Sequence, residues 1–361
     1  MKENNDQREK EAQESMLHIA DDNPEINYDR LKESAQYILK KRTSLPFEEY
    51  RKITELFYNS MDMEERGSSH FLSDVNVLIK YLEISLNIID THLTPALHTN
   101  AITVIGAGEG RMIPLIIEMG KKTKQKIKKI IINDLLESHI ETIKGKLSDT
   151  YGTDKSSNID GIEIEYREGD FGKINIPFSD IAIATWFVTS EILDPSSVSA
   201  LQEHRSHFFK KIRTTIGEHG FFFEEIPDIL QSGFYYLSRS KSAHILTEMG
   251  FLPEESENFS LTNIPKENNG FPYHIRYMPK NGGHGREMTN AGFYSLASES
   301  LIFPRESVQI YPADIIKIFE EYKNIEEVKR YISTLLINNS KNEEGDDRRI
   351  KRITMWSADP Y

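Results

Sequence analysis

The chain has 361 residues, 38% of them hydrophobic with 18 Phe and 16 Tyr, enough to bury a core in one large domain or one domain with substantial additions. A net charge of −13 argues against nucleic acid as the principal partner, because phosphate binding needs concentrated Lys and Arg. The absence of cysteine removes disulfides, thiolate metal sites and a Cys nucleophile together, and no metal site is expected.

Residues 1–25 are polar and charged, without the apolar segment of a signal peptide, and read as a disordered leader. No uninterrupted apolar run approaches the roughly 20 residues of a membrane span. A cytoplasmic location without membrane contact is expected; secretion by a route without a classical signal stays open. Residues 26–97 form a helical block. Leu31, Ala35, Ile38 and Leu39, then Tyr50, Ile53, Leu56 and Phe57, recur at helical spacing, with Pro46 between the two helices. Gly67-Ser68-Ser69 breaks the pattern. Ser73 or Asp74 then caps a long helix through Val75, Leu78, Leu82, Leu86 and Ile89, which Pro95 closes.

The chain is organised around Ile102–Arg111, ITVIGAGEGR. A short β-branched segment suited to a buried strand runs straight into Gly106, Gly108 and Gly110. Glycines there permit a tight turn and close approach of the backbone to a ligand. The next segment, Arg111–Gly120, reads as a helix whose first free N–H groups favour negative groups. The dinucleotide fingerprint G-x-G-x-x-G would put its third glycine at position 111, where Arg111 stands instead.

Lys128–Asp134 is a second strand ending on a carboxylate, which follows Gly106 by 28 residues where about 20 is usual, the lysine-rich stretch 121–129 accounting for the excess. In an open α/β sheet the end of that strand lies beside the ribose of a nucleotide, and a carboxylate there can accept from both hydroxyls. Asp134 can equally cap the helix that follows at Leu135. A third strand, Ile162–Arg167, leads to Gly169-Asp170-Phe171. Residues 178–187 hold a fourth buried strand opened by Asp180 and ending near Thr185-Trp186. A helix over 197–216, a turn at 217–220 and the strand Phe221–Glu225 come next. Segments near Phe259–Thr262 and His274–Met278 are the candidates for a closing antiparallel pair. Beyond about 280, Asn281–Gly285 reads as a flexible glycine loop containing His284, residues 313–336 as one or two helices, and 341–352 as a charged, mobile stretch.

Taken in this order, GAGEG, Asp134, Gly169-Asp170-Phe171 and the Asp180 strand resemble a class I S-adenosylmethionine-dependent methyltransferase over roughly residues 98–280. The resemblance implies a Rossmann-like three-layer α/β sandwich with a seven-stranded, mostly parallel sheet, here with the N-terminal helical block and a C-terminal helical extension over 281–361. It implies S-adenosyl-L-methionine as cofactor, with Gly106, Ala107, Gly108 and Gly110 passing close to its methionine part and Asp134 with Leu135 at the ribose. Asp170 and Phe171 would lie at the adenine, and Thr185 and Trp186 near the methyl group. One departure concerns the acid that the family commonly carries two residues before the first glycine; Val104 stands there.

Methyl transfer is an in-line displacement that needs an oriented acceptor and often a base. Glu191, after the fourth strand, and Glu224, at the end of the fifth, are the candidate bases. The absence of an Asn-Pro-Pro-aromatic or Asp-Pro-Pro-aromatic tetrapeptide and of cysteine argues against DNA-methylating enzymes, and the net charge of −13 favours a small-molecule or protein acceptor over nucleic acid. Oligomeric state stays undetermined. Two rivals remain: a nicotinamide-dependent oxidoreductase, and a binding or regulatory protein on a methyltransferase fold, which Val104 keeps alive.

Overall fold

A computed structural model describes residues 63–92, 99–122, 127–152, 157–184, 198–227, 243–244, 247, 259–261, 275–277, 283–304, 312–340 and 348–359. The leader, the helical pattern over 28–61, Thr185, Trp186 and Glu191 lie outside these residues. The chain groups into two compact units, one of residues 1–62, 190–206 and 227–287 and one of residues 63–189, 207–226 and 288–361.

The second unit holds the sheet. Its strands are β1 (Ala101–Ile105), β2 (Lys129–Asp134), β3 (Asn158–Ile159), β4 (Ile162–Glu168), β5 (Ile181–Ala184), β6 (Phe221–Pro227), β9 (Tyr294–Pro304) and β10 (Arg348–Ser357). They lie in the order β3-β4-β2-β1-β5-β6-β10-β9. The pairs β4–β2, β2–β1, β1–β5 and β5–β6 are parallel, whereas β10 and β9 are antiparallel. This is an α/β sandwich on a mostly parallel sheet, with eight strands where seven were expected. The additional strand is β3, two residues joined to β4 by Asp160-Gly161, whose φ values of 51° and 88° suit the tight Asp-Gly hairpin turn.

The central strands β1, β2 and β5 are apolar runs because both of their faces are covered, whereas β4, towards the edge, alternates apolar and charged residues. All five residues of β1 and all four of β5 are buried. One face packs against α1 (Met63–His92), α2 (Ile113–Lys122) and α3 (Glu137–Tyr151). Val104, Ile132, Ile183 and Phe223 share one apolar cluster with Leu78, Ile116 and Ile143 of those helices. Further buried aromatics lie outside that cluster: Phe208 and Phe209 of α4 (Val198–Ile216) make edge-to-face contacts, with Phe208 also against Phe171, and Phe222 lies against Phe293.

Several expectations are corrected. Helix α1 begins at Met63 and runs through Gly67-Ser68-Ser69 instead of starting at Ser73 or Asp74. An interior glycine costs only about 1 kcal/mol, which the burial of Val75, Leu78, Tyr81 and Leu82 further along the same helix outweighs. The antiparallel pair that completes the sheet is β9 with β10. Strands β7 (Phe259–Leu261) and β8 (Ile275–Tyr277) do pair antiparallel, but as a separate two-stranded sheet in the first unit. Residues 281–361, expected to be helical, therefore carry β9 and β10 as well as α5 (Gly283–Asn290), α6 (Pro312–Glu321) and α7 (Ile325–Ser340). The last two helices are inserted between the closing strands, and their Ile315, Phe319, Val328 and Ile332 join the cluster formed with α1 and α2.

Gly283 opens α5, so His284 stands in a helix and not in a flexible loop. In the first unit it belongs to a polar group built on Arg205, which is 1% exposed. The Arg205 guanidinium donates to both Glu287 oxygens, at 3.1 and 2.9 Å, and lies 3.3 Å from His284 Nδ1. Burial opposes ionisation of Glu287, but His284 and Arg205 outweigh it and hold its carboxyl below the ordinary value.

Candidate functional site

The carboxyl ends of β1, β2 and β4 lie level with one another: Ile105 pairs with Asn133, and Asp134 with Glu168. The turn after β1 leaves the strand through Gly106, Gly108 and Gly110, at φ values of 60°, 54° and 75°, conformations that residues with a Cβ rarely adopt. Ala107 N–H donates to the Asn133 carbonyl at 3.0 Å, and Gly110 N–H back to the Ala107 carbonyl at 2.9 Å. The glycines do different work. A Cβ on Gly110 would come within 2.7 Å of Ile143 Cγ1, so this glycine lets the loop seat on α3. A Cβ on Gly108 would meet nothing within 4 Å, so open space lies at its backbone.

Asp134 joins the loop to the next strand. It is 5% exposed, and its Oδ2 accepts from Gly108 N–H at 2.7 Å. Its Oδ1 accepts from Leu136 N–H at 2.9 Å and lies 3.0 Å from His139 Nδ1. Asp134 thus serves the start of α3 as the sequence allowed, while its other oxygen reaches the glycine loop. Asn133 supports the same edge through its side-chain amide, which donates to the Arg167 and Gly169 carbonyls at 2.9 and 3.0 Å.

One strand further out, Gly169 takes φ 120°, and its N–H donates to the Asp134 carbonyl at 2.8 Å. The Asp170 carboxylate accepts from Gly172 N–H at 2.9 Å and pairs loosely with Lys173 at 3.4 Å. Phe171 is 4% exposed, with its ring centroid 5.4 Å from that of Phe208. Earlier on β4, burial opposes ionisation of Glu165, but Lys129 and Arg167 outweigh it and hold that carboxyl below the ordinary value. Lys121 and Lys129, from the basic run 121–129, are both paired with acids.

The structure therefore brings together Gly106, Ala107, Gly108, Gly110, Asp134, Leu135 and Asp170 along three adjacent strand ends. Glu224 lies elsewhere in its surroundings: it is fully buried on β6, and its Oε1 accepts from the Trp356 indole N–H at 2.6 Å. Sequence reasoning missed His139 and Asn133. The signal for His139 was its place five residues after Asp134, in the first turns of the following helix. Open space at the Gly108 backbone, with the Asp134 acceptor beside it and the Asp170 acceptor one strand away, fits a ligand of the nucleotide type.

No family model matches the chain, and no curated protein does. Solved structures similar to it include an S-adenosylmethionine-dependent methyltransferase from Clostridium acetobutylicum, at 10% identity and TM-score 0.41 over 78% of this chain and 98% of that one. One from Methanosarcina mazei is 12% identical at TM-score 0.43, over 73% and 97%. The CcbJ methyltransferase from Streptomyces caelestis is 10% identical at TM-score 0.43, over 80% and 90%. The strand order and the glycine loop define a Rossmann-like, mostly parallel α/β sheet with an antiparallel closing pair.

Proposed function

We propose that this chain is an S-adenosylmethionine-dependent methyltransferase acting on a small-molecule or protein acceptor. The observation that carries the reading is the bond from Gly108 N–H to Asp134 Oδ2 at 2.7 Å, beside open space at the Gly108 backbone. A buried carboxyl acceptor thus stands next to a backbone that a ligand can approach. When bound, the cofactor supplies a methyl group on a sulfonium centre. In this reading Gly106, Ala107, Gly108 and Gly110 contact its methionine part, Asp134 and Leu135 the ribose, and Asp170 with Phe171 the adenine. Thr185 and Trp186, outside the described residues, are assigned to the methyl end by the sequence resemblance alone. Glu191 and Glu224 are the candidate proton acceptors, and the complete burial of Glu224 behind Trp356 favours Glu191.

The test is calorimetric titration with S-adenosylmethionine, S-adenosylhomocysteine and NAD, alongside Asp134→Ala. Micromolar binding of the first two, at least tenfold weaker in the variant and absent for NAD, is the expected result; a charged acceptor bond of about 1.5–3 kcal/mol sets that factor. Binding of NAD alone overturns the reading. A second reading rests on Val104, apolar and 2% exposed where the family commonly has an acid: a protein that binds the cofactor without turnover. Tight cofactor binding with no methyl transfer to any offered acceptor class would favour it.

A further inference from the structure

Both oxygens of Asp134 are already engaged, and unequally. A carboxylate offers about four acceptor positions, two on each oxygen. Oδ1 accepts from Leu136 N–H at 2.9 Å and meets His139 Nδ1 at 3.0 Å. Since the carboxylate only accepts, Nδ1 carries the proton, and Oδ1 is filled. Oδ2 accepts only from Gly108 N–H among the described residues, which leaves one position on the oxygen that faces the glycine loop. His139 is 9% exposed and anchored in α3, so this arrangement is packed in place. The loop also draws its polar support from the β2 side, through Asp134 Oδ2 and the Asn133 carbonyl, where β1 offers the apolar side chain of Val104.

We propose that His139 is a positioning residue that makes Asp134 a one-point acceptor, so that a bound ribose is held there through one hydroxyl and not two. This rests on the cofactor reading above. His139 turns Oδ1 away from the ligand and aims Oδ2 at the loop; the second hydroxyl gains nothing from this carboxylate. The site then tells the two hydroxyls of a ribose apart, which a carboxylate accepting from both does not do.

The experiment measures calorimetric binding of S-adenosylhomocysteine and its 2′-deoxy and 3′-deoxy ribose counterparts to the full chain and to His139→Asn and His139→Leu. Amide exchange at Gly108 is followed in the unliganded proteins. In the unaltered chain one deoxy compound binds about tenfold or more weakly, the size of a lost charged hydrogen bond, and the other within about threefold of the parent. His139→Asn keeps the ratio, because Asn Nδ2 stands where His Nδ1 does. His139→Leu frees a position on Oδ1, shrinks the ratio and speeds exchange at Gly108. A merely structural residue would weaken all three compounds in proportion and leave the ratio intact. Equal losses for both deoxy compounds in the unaltered chain overturn the proposal, as does an unchanged ratio in His139→Leu. Should the Leu variant not fold, the ratio in the unaltered chain and in His139→Asn decides. Failure of S-adenosylhomocysteine itself to bind sinks the cofactor reading, and this inference with it, whereas its binding with equal losses sinks this inference alone.

Discussion

Two aspartates stand at opposite ends of the parallel strands, Asp134 5% exposed and Asp180 6%. At the carboxyl ends, Asp134 binds a loop amide, a helix-start amide and an imidazole. At the amino ends, Asp180 binds Thr99 N–H at 2.9 and 3.1 Å, Thr99 Oγ1 at 3.2 Å and Ala101 N–H at 3.2 Å, stapling the entrance of β1 to that of β5. Burial and residue type do not separate them. What differs is the surroundings: Asp180 is engaged by the entrance of β1, whereas Asp134 adjoins a positive-φ glycine with open space at its backbone. A buried carboxylate becomes a candidate for ligand binding through what it has left to accept and what lies beside it.

Substitutions at both ends can break that contrast. Asp180→Ala removes the acceptor of the buried Ala101 N–H and of the N–H and hydroxyl of exposed Thr99 and is expected to cost about 3 kcal/mol in urea unfolding, with cofactor affinity per folded molecule unchanged. An equal loss of affinity there would erase the distinction. Next in size is Gly110→Ala, which meets Ile143 Cγ1 at 2.7 Å at a φ of 75° and is expected to cost about 2–3 kcal/mol in the same measurement. Gly108→Ala, at φ 54° with nothing in the way of its Cβ, should cost only about 1 kcal/mol yet weaken cofactor binding at least tenfold by calorimetry, since the methyl group takes the ligand's space. The smallest effect belongs to Glu165, whose partners are side-chain cations. Its carboxyl titrates below the ordinary value in the folded protein, so its contribution is present above the ordinary glutamate range and is lost as pH falls through the folded value. Glu165→Gln should lower stability at neutral pH by about 1 kcal/mol or less, with the difference vanishing in acid.

The same contrast explains what could be read without coordinates. The loop, Asp134 and Asp170 were legible because strand, glycine and acid are close in sequence, and each small pattern has few physical uses. Asp180 could be placed at the start of its strand, but not as the staple to Thr99 and Ala101, because that contact joins segments some 80 residues apart. The closing strands were hidden for a related reason. β10 begins Arg348-Arg349-Ile350-Lys351-Arg352, a charged stretch that local pattern reads as mobile, and its apolar residues Ile353, Met355 and Trp356 find their partners only across the sheet. Phe259–Leu261 and Ile275–Tyr277 were correctly read as paired strands; local periodicity says nothing about which sheet a pair joins. His139 was missed because a histidine on a helix acquires meaning only from the side chain it faces.

The position of β10 has a consequence for the order of assembly. It lies between β6 and β9, so the latest strand in the chain occupies an interior place in the sheet, and the two flanking strands have no direct neighbour in each other. During synthesis β1 to β6 can associate as they emerge, but β6 keeps an open flank until residues 348–357 leave the ribosome and slide in. Only then does Trp356 reach Glu224, and Ala358 N–H the Gly220 carbonyl at 3.0 Å. Until β10 is in place, β6 lacks its neighbour on that side and β9 lacks its link to the rest of the sheet.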